Sequence, residues 1–240
     1  MSRTLRGQTA IVTGGSRGIG LAIARTLAAE GVNVAITGLS ESHLSQARPR
    51  IESAGPARVE TLRADMRDYA EVERAVNAAV ARFGGLDILV NNAGIGIFVN
   101  AAEMTPEQWS DVIGTNLTGV FHACRAALPH LRARGGGYIV NISSLAGANP
   151  FAGGAAYCAS KAGLNAFSEA LMQEVRYDNI RVTYVMPGSV ATGFSNNDET
   201  KGADWKIGAG DVADVVLGLF KQDPRSLASR IELRPSKPKK

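Results

Sequence analysis

The stretch Thr9-Ala10-Ile11-Val12-Thr13-Gly14-Gly15-Ser16-Arg17-Gly18-Ile19-Gly20 decides the fold. Its first five residues form a short apolar, β-branched run, which predicts a buried strand. The glycines follow at once, and from residue 18 to residue 29 apolar residues recur at helical spacing. A strand that turns within a few residues into a helix is the opening of a parallel β-α-β unit. The same alternation continues outward. Strands are expected at 9–13, 33–37, 59–62, 88–91, 138–142, 181–185 and 229–233, and helices at about 18–29, 42–53, 70–83, 105–133, 155–177 and 210–221. Strands one, four, five and six are almost continuously apolar, as strands covered on both faces are. The pattern predicts an α/β fold, a doubly wound parallel seven-stranded sheet with helices on both faces, in one domain.

Local signals agree. Thr105-Pro106-Glu107-Gln108 reads as an N-cap, a first-turn proline and a closing capping box. Gly31 stands where a helix C-cap is expected. Pro49 lies inside the second helical pattern and is expected to kink or break it.

Composition narrows the class. Of 240 residues, 45% are hydrophobic and two are cysteine, which excludes a disordered chain and a disulfide scaffold. Cys124 and Cys158 fall in expected helices, where reduced thiols of a cytoplasmic protein are the simple reading. No apolar run approaches the roughly 18 residues of a membrane span. The stretch MSRTLRGQTAIVTGG reaches its strand by Gln8, so no leader is expected. The formal charge is +4, but Arg234, Lys237, Lys239 and Lys240 supply it: without those four of its 26 basic residues the chain has 22 against 22 acids. A neutral body with a basic tail at 235–240 offers no basic face for nucleic acid, and a flexible, solubilising tail is expected beyond a domain at 1–234.

The glycine loop carries chemistry. Glycine reaches positive φ cheaply and lets a phosphate approach the backbone amides of a helix N-terminus. Between a first strand and a first helix, Gly14, Ser16, Arg17, Gly18, Ile19 and Gly20 predict a dinucleotide site of the Rossmann kind. The second strand ends Ile36-Thr37-Gly38-Leu39-Ser40 with no acid to meet a ribose 2′-hydroxyl. Arg17 can pair with a 2′-phosphate and Ser40 can donate to it, which favours NADP(H) over NAD(H).

Tyr157 and Lys161 stand four apart on one helix face, an arrangement in which an ammonium can lower a phenol pKa toward working pH. Ser143-Ser144, Asn91-Asn92-Ala93-Gly94 and Pro187-Gly188, followed by Val190 and Thr192, close the fifth, fourth and sixth strands on one edge. The ordered set Thr13-Gly14-x-x-x-Gly18-x-Gly20, Asp65, Asn91-Asn92-Ala93-Gly94, Asn116, Ser144, Tyr157-x-x-x-Lys161 and Pro187-Gly188 resembles the compact, single-domain branch of the short-chain dehydrogenases/reductases.

That resemblance implies roles. Tyr157 would be general acid in carbonyl reduction and general base in alcohol oxidation. Lys161 would lower its pKa and hold the nicotinamide ribose. Ser144, by its spacing from the tyrosine, would bond the substrate oxygen, and Asn116 would support a water relay to Lys161. Asp65 would hold the adenine amino group, Asn92 the adenosine ribose, and Val190 and Thr192 the carboxamide, with Gly188 beside them. No metal is implied. The expected activity is NADPH-dependent reduction of a ketone or aldehyde. A 3-oxoacyl-carrier-protein reductase stands second, although Asp178 replaces the basic grip such enzymes use. A polyol or steroid dehydrogenase is third, and a catalytically silent nucleotide-binding protein is the alternative from another class.

Phe98, Leu145, Phe151 and Trp205 are candidates for an apolar substrate pocket, with residues 193–210 as a lid over it. The expected partners are a small carbonyl or alcohol and a second copy of the chain, as a homodimer or homotetramer. The helices at 105–133 and 155–177 would form the main dimer face, while the glycine-rich ending of many relatives is replaced by RPSKPKK.

Overall fold

In the computed structural model, residues 4–196, 200 and 202–238 are described. Seven strands form one parallel sheet: β1 (Thr9–Thr13), β2 (Asn33–Gly38), β3 (Val59–Arg63), β4 (Ile88–Asn91), β5 (Gly137–Ile142), β6 (Ile180–Pro187) and β7 (Arg230–Leu233). Their order is β3-β2-β1-β4-β5-β6-β7, so the winding reverses between β1 and β4. The register sets Ala10 opposite Ile88 and Asn91 opposite Asn141. Strand side chains alternate between faces. Val12, Val34, Ile36, Val90 and Val140 therefore point to one core, while Ile11, Ala35, Leu89 and Ile139 point to the other.

Helices α1 (Gly18–Ala29), α2 (Glu41–Glu52) and α7 (Ala209–Phe220) cover the first face. Helices α3 (Tyr69–Phe83), α5 (Gly119–Ala133) and α6 (Ala155–Val175) cover the second. Because both faces are covered, the central strands show no polar alternation. Among the described residues, no helix is long and apolar enough to cross a membrane.

Caps behave as the sequence predicts. Thr105 Oγ1 accepts from Gln108 N at 3.2 Å, and Gln108 Oε1 accepts in return from Thr105 N at 3.0 Å. Past α1, Gly31 N donates to Ala28 O at 3.0 Å. Cys124 and Cys158 are buried free thiols.

Two expectations need correction. Helix α2 continues through Pro49 to Glu52. The proline and Ser45 both lie on the exposed face, where water can take up the one carbonyl left without a donor, and buried Leu44, Ala47 and Ile51 hold the other face. The long helix expected at 105–133 is instead α4 (Pro106–Ile113), a π turn at Gly114–Thr118, and α5. That π turn turns Asn116 inward, where it is wholly buried.

Candidate active site

The carboxyl ends of parallel strands meet along one rim, and a cleft of about 420 Å³ runs along it. Every residue expected above to act in catalysis or cofactor binding lines this cleft except Gly20 and Asn116, whereas Phe98, Leu145, Phe151 and Trp205, the candidates for an apolar substrate pocket, do not line it.

At the loop, Gly14 has φ +63°, and a Cβ built on it would lie 2.8 Å from Ala93 Cα. Gly20 acts differently from expectation. Its α-carbon packs against the Asn92 amide and the Gly14 carbonyl, so it brings α1 close to β4 and does not face the cleft. Asn92 Nδ2 donates to Thr13 O at 3.0 Å and to Gly14 O at 3.1 Å. Thr13 Oγ1 accepts from Asn92 N and Ala93 N, both at 3.0 Å. The expected ribose ligand thus also pins the loop.

Helix α1 begins at Arg17 with no side-chain cap and no acid in its first turn. Its first amides therefore face the cleft without an anionic partner, which is the donor set a pyrophosphate takes. On this observation the residues present fit a dinucleotide. At the end of β2, Ser40 Oγ caps α2 by accepting from His43 N at 3.3 Å. His43 lines the same cleft and carried no signal in the sequence. Asp65 is gripped by Arg67, with Arg67 Nη2 at 2.7 Å, and this guanidinium holds the carboxyl below its ordinary range. Arg67 also pairs with Asp111.

At the other end, Ser143 and Ser144 separate. Ser143 Oγ is buried and donates to Asn165 Oδ1 at 2.5 Å. Ser144 Oγ accepts from Ala146 N at 3.1 Å, which leaves its proton for another partner, and its hydroxyl interacts with Tyr157. Lys161 is buried, and its Nζ donates to Ile142 O at 2.8 Å while lying 5.8 Å from the Tyr157 ring centre.

The expected lowering of the phenol is not what this geometry produces. Burial pushes Tyr157 above its ordinary range, against a pull downward from Ser144. Burial also brings Lys161 down to about 8. Desolvation opposes charge on both groups and is the largest cause in each case.

Asn116 is wholly buried in the π turn. It accepts from Ile95 N at 2.8 Å and donates to Ile95 O at 2.9 Å and Ser160 Oγ at 3.1 Å. Its amide therefore ties the loop after β4 to α6. Its Oδ1 and Lys161 Nζ both approach Gly94.

Aromatic rings surround the phenol. Phe98 lies 5.5 Å and Phe194 5.8 Å from the Tyr157 ring, and Phe151 lies 5.8 Å from Phe98. Phe194 was not foreseen as part of the pocket, because it reaches Tyr157 only through the fold of the loop after β6. Ser195, at φ 57°, donates to Gly96 O at 2.5 Å and holds that loop across the cleft. Trp205 does not line the cleft. It packs on its own loop, where a Cβ on Gly202 would meet its Nε1 at 2.6 Å. Residues 197–199 and 201 of the expected lid lie outside the described residues.

The family model described as short chain dehydrogenase matches residues 8–202. The chain belongs to the short-chain dehydrogenases. An uncharacterized oxidoreductase of Staphylococcus saprophyticus is 35% identical over 96% of this chain and 98% of its own. A 3-oxoacyl-[acyl-carrier-protein] reductase of Chlamydia trachomatis is 40% identical over 87% of this chain and 84% of its own. The crystal structure of a metagenomic short-chain oxidoreductase in complex with NADP superposes with TM-score 0.86 at 37% identity, covering 98% of this chain and 100% of that one. As a short-chain dehydrogenase, this chain is a nicotinamide-dependent oxidoreductase acting on alcohol and carbonyl groups.

Proposed function

We propose that this short-chain dehydrogenase reduces a ketone or aldehyde with NADPH, reversibly, with Tyr157 as proton donor. One observation carries the reading: the Ser144 hydroxyl, the Tyr157 phenol and the Lys161 ammonium meet at one strand-end rim beneath an apolar collar. A dinucleotide held in this cleft would supply the hydride. Ser144 donates to the substrate oxygen and fixes its position. Tyr157 gives its proton to the same oxygen as charge develops there. The phenol stands above its ordinary range, so it is protonated at neutral pH, as an acid in reduction has to be. Lys161, charged below about 8, stabilises negative charge on the phenol as the proton leaves. Asn116 positions this group by holding Ile95 and Ser160.

The preference for NADPH rests on Arg17 and Ser40 at the cleft and on the lack of an acid at the end of β2. The uncapped amides of α1 take the pyrophosphate, Asp65 and Asn92 the adenosine, and Gly188, Val190 and Thr192 the nicotinamide side. We assign residues 1–234 to one catalytic unit and residues 235–240 to a tail. A homodimer or homotetramer is supported by Trp109 and Phe121, each 44% exposed on α4 and α5. A cytoplasmic setting is supported by the two free thiols.

The test is absorbance at 340 nm with NADPH and a panel of ketones, aldehydes and acetoacetyl thioesters. Tyr157→Phe should lower turnover by about 100-fold or more while NADPH binding stays within about twofold. More than about a tenth of the activity remaining would remove the tyrosine from its role.

A further inference from the structure

The turn after β2 lies against the glycine loop. The register sets Thr13 beside Thr37, Gly15 N donates to Thr37 O at 3.1 Å, and a Cβ built on Gly38 would lie 3.6 Å from Ser16 Oγ. Helix α2 starts from this turn, and buried Leu44 anchors its first turn in the core. His43, the residue before that anchor, is exposed and lines the cleft, as Arg17 and Ser40 do. Its backbone N–H is held by the Ser40 cap at 3.3 Å. Sheet register and one buried leucine thus bring an imidazole to the end of the cleft where the ribose 2′-position is expected.

No acid of the protein neutralises this end. A phosphate monoester carries nearly two negative charges at neutral pH and three acceptor oxygens. The Arg17 guanidinium can meet two of those oxygens. Ser40 has at most one bond left to give, because its Oγ accepts from His43 N and lies 2.9 Å from Ser42 Oγ. The acids that line the cleft, Asp65 and Asp111, are both held by Arg67. Glu41, the acid in the first turn of α2, does not line it. Among the described residues neither Arg17 nor His43 has an ion pair or a side-chain hydrogen bond. A guanidinium and an imidazole are therefore left facing a cleft with no protein anion between them.

We propose that His43 donates a hydrogen bond to the 2′-phosphate of the cofactor and, with Arg17, sets the preference for NADPH. The inference rests on the NADPH reading and adds a second residue to it. A neutral imidazole has one N–H to give and an imidazolium two, so the contact exists in either state. NADH carries an uncharged hydroxyl at the same position, which gains less from either donor. The mark of the role is a loss confined to NADPH.

The experiment measures binding without turnover. NADPH and NADH are titrated calorimetrically into the full-length protein and into its His43→Ala and His43→Arg variants. The unmodified protein should bind NADPH at least about tenfold more tightly than NADH. His43→Ala should lower that ratio about fivefold or more through weaker NADPH binding alone, with NADH affinity within about twofold. His43→Arg supplies a charged donor at the same place and should return the ratio to the unmodified value or above.

NADH serves as the control for the fold, since a variant that disturbs the cleft weakens both cofactors. A ratio unchanged in His43→Ala, equal losses for the two cofactors, or an Arg variant no better than the Ala one would overturn the role of His43 and leave the NADPH preference standing. A ratio near one in the unmodified protein would remove the NADPH preference itself, and His43 with it.

Discussion

Replacing Lys161 with methionine should stabilise this protein while destroying its activity. The lysine is 4% exposed, and burial brings its pKa from 10.5 to about 8. That displacement is worth roughly 3 kcal/mol of cost to the folded state whenever the lysine is charged in both states. Methionine fills much the same volume and removes the cost. Against it stands the loss of the bond from Nζ to Ile142 O at 2.8 Å, which leaves a buried carbonyl short of a donor at about 1–2 kcal/mol.

A net gain of about 1–2 kcal/mol remains at pH 7, or roughly 2–8 °C in Tm for a domain of this size. The pH dependence has a definite sign. Below about 8 the lysine is charged in both states and the full cost is present. Between about 8 and 10.5 the folded state has released the proton that the unfolded state still binds, so the native protein gains stability as pH rises. The gap between the variant and the native protein should therefore close over that interval and reverse, by about 1–2 kcal/mol at its upper end. Thermal unfolding at fixed protein concentration from pH 6.5 to 10.5 measures it. A variant less stable than the native protein at pH 7, or a gap indifferent to pH, would refute the reasoning. Turnover should fall by about 100-fold or more in the same variant, since the cation that stabilises the developing phenolate is gone.

Other outcomes follow from the same geometry. Arg17→Ala should raise KM for NADPH by about tenfold or more and leave KM for NADH within about twofold, because a charge-assisted contact to a 2′-phosphate is worth roughly 1.5–3 kcal/mol. Equal effects on the two cofactors would remove Arg17 from that role. Gly14→Ala places a Cβ 2.8 Å from Ala93 Cα at φ +63°, so it should cost about 2 kcal/mol or more and weaken dinucleotide binding. Unchanged melting and unchanged affinity would contradict it. Reduction of a small neutral ketone should have the same kcat in a chain lacking residues 235–240, and a large loss would show that the tail shapes the catalytic centre itself.

Much of the fold was legible because its signals are local. A β-branched run, a glycine turn and a 3.6-residue period report on neighbours within one or two turns, and burial on both sheet faces makes the central strands readable as such. The glycine loop and the Tyr157/Lys161 spacing were legible for the same reason. Asn116 shows the limit. Nothing near it in sequence announces a π turn, because the turn places its amide within reach of Ile95 and Ser160, which are 21 and 44 residues away. Pro49 erred in the other direction, since its cost depends on whether water reaches the bereft carbonyl.

By itself, then, the sequence determined the alternating elements, the loop that meets a phosphate and the two residues four apart that share a helix face. These are properties of backbone torsion and periodicity, which nearby side chains settle. Only the tertiary structure decided that Ser143 turns inward while Ser144 is left to act, and that burial holds Tyr157 and Lys161 toward their neutral forms. It also drew Phe98 and Phe194 against one phenol, with Phe151 behind Phe98, and seated Pro235 beside Gly188. Each of these is a distance or a dielectric set by segments far apart in the chain, and parallel crossovers bring such segments to one rim only once the sheet is complete.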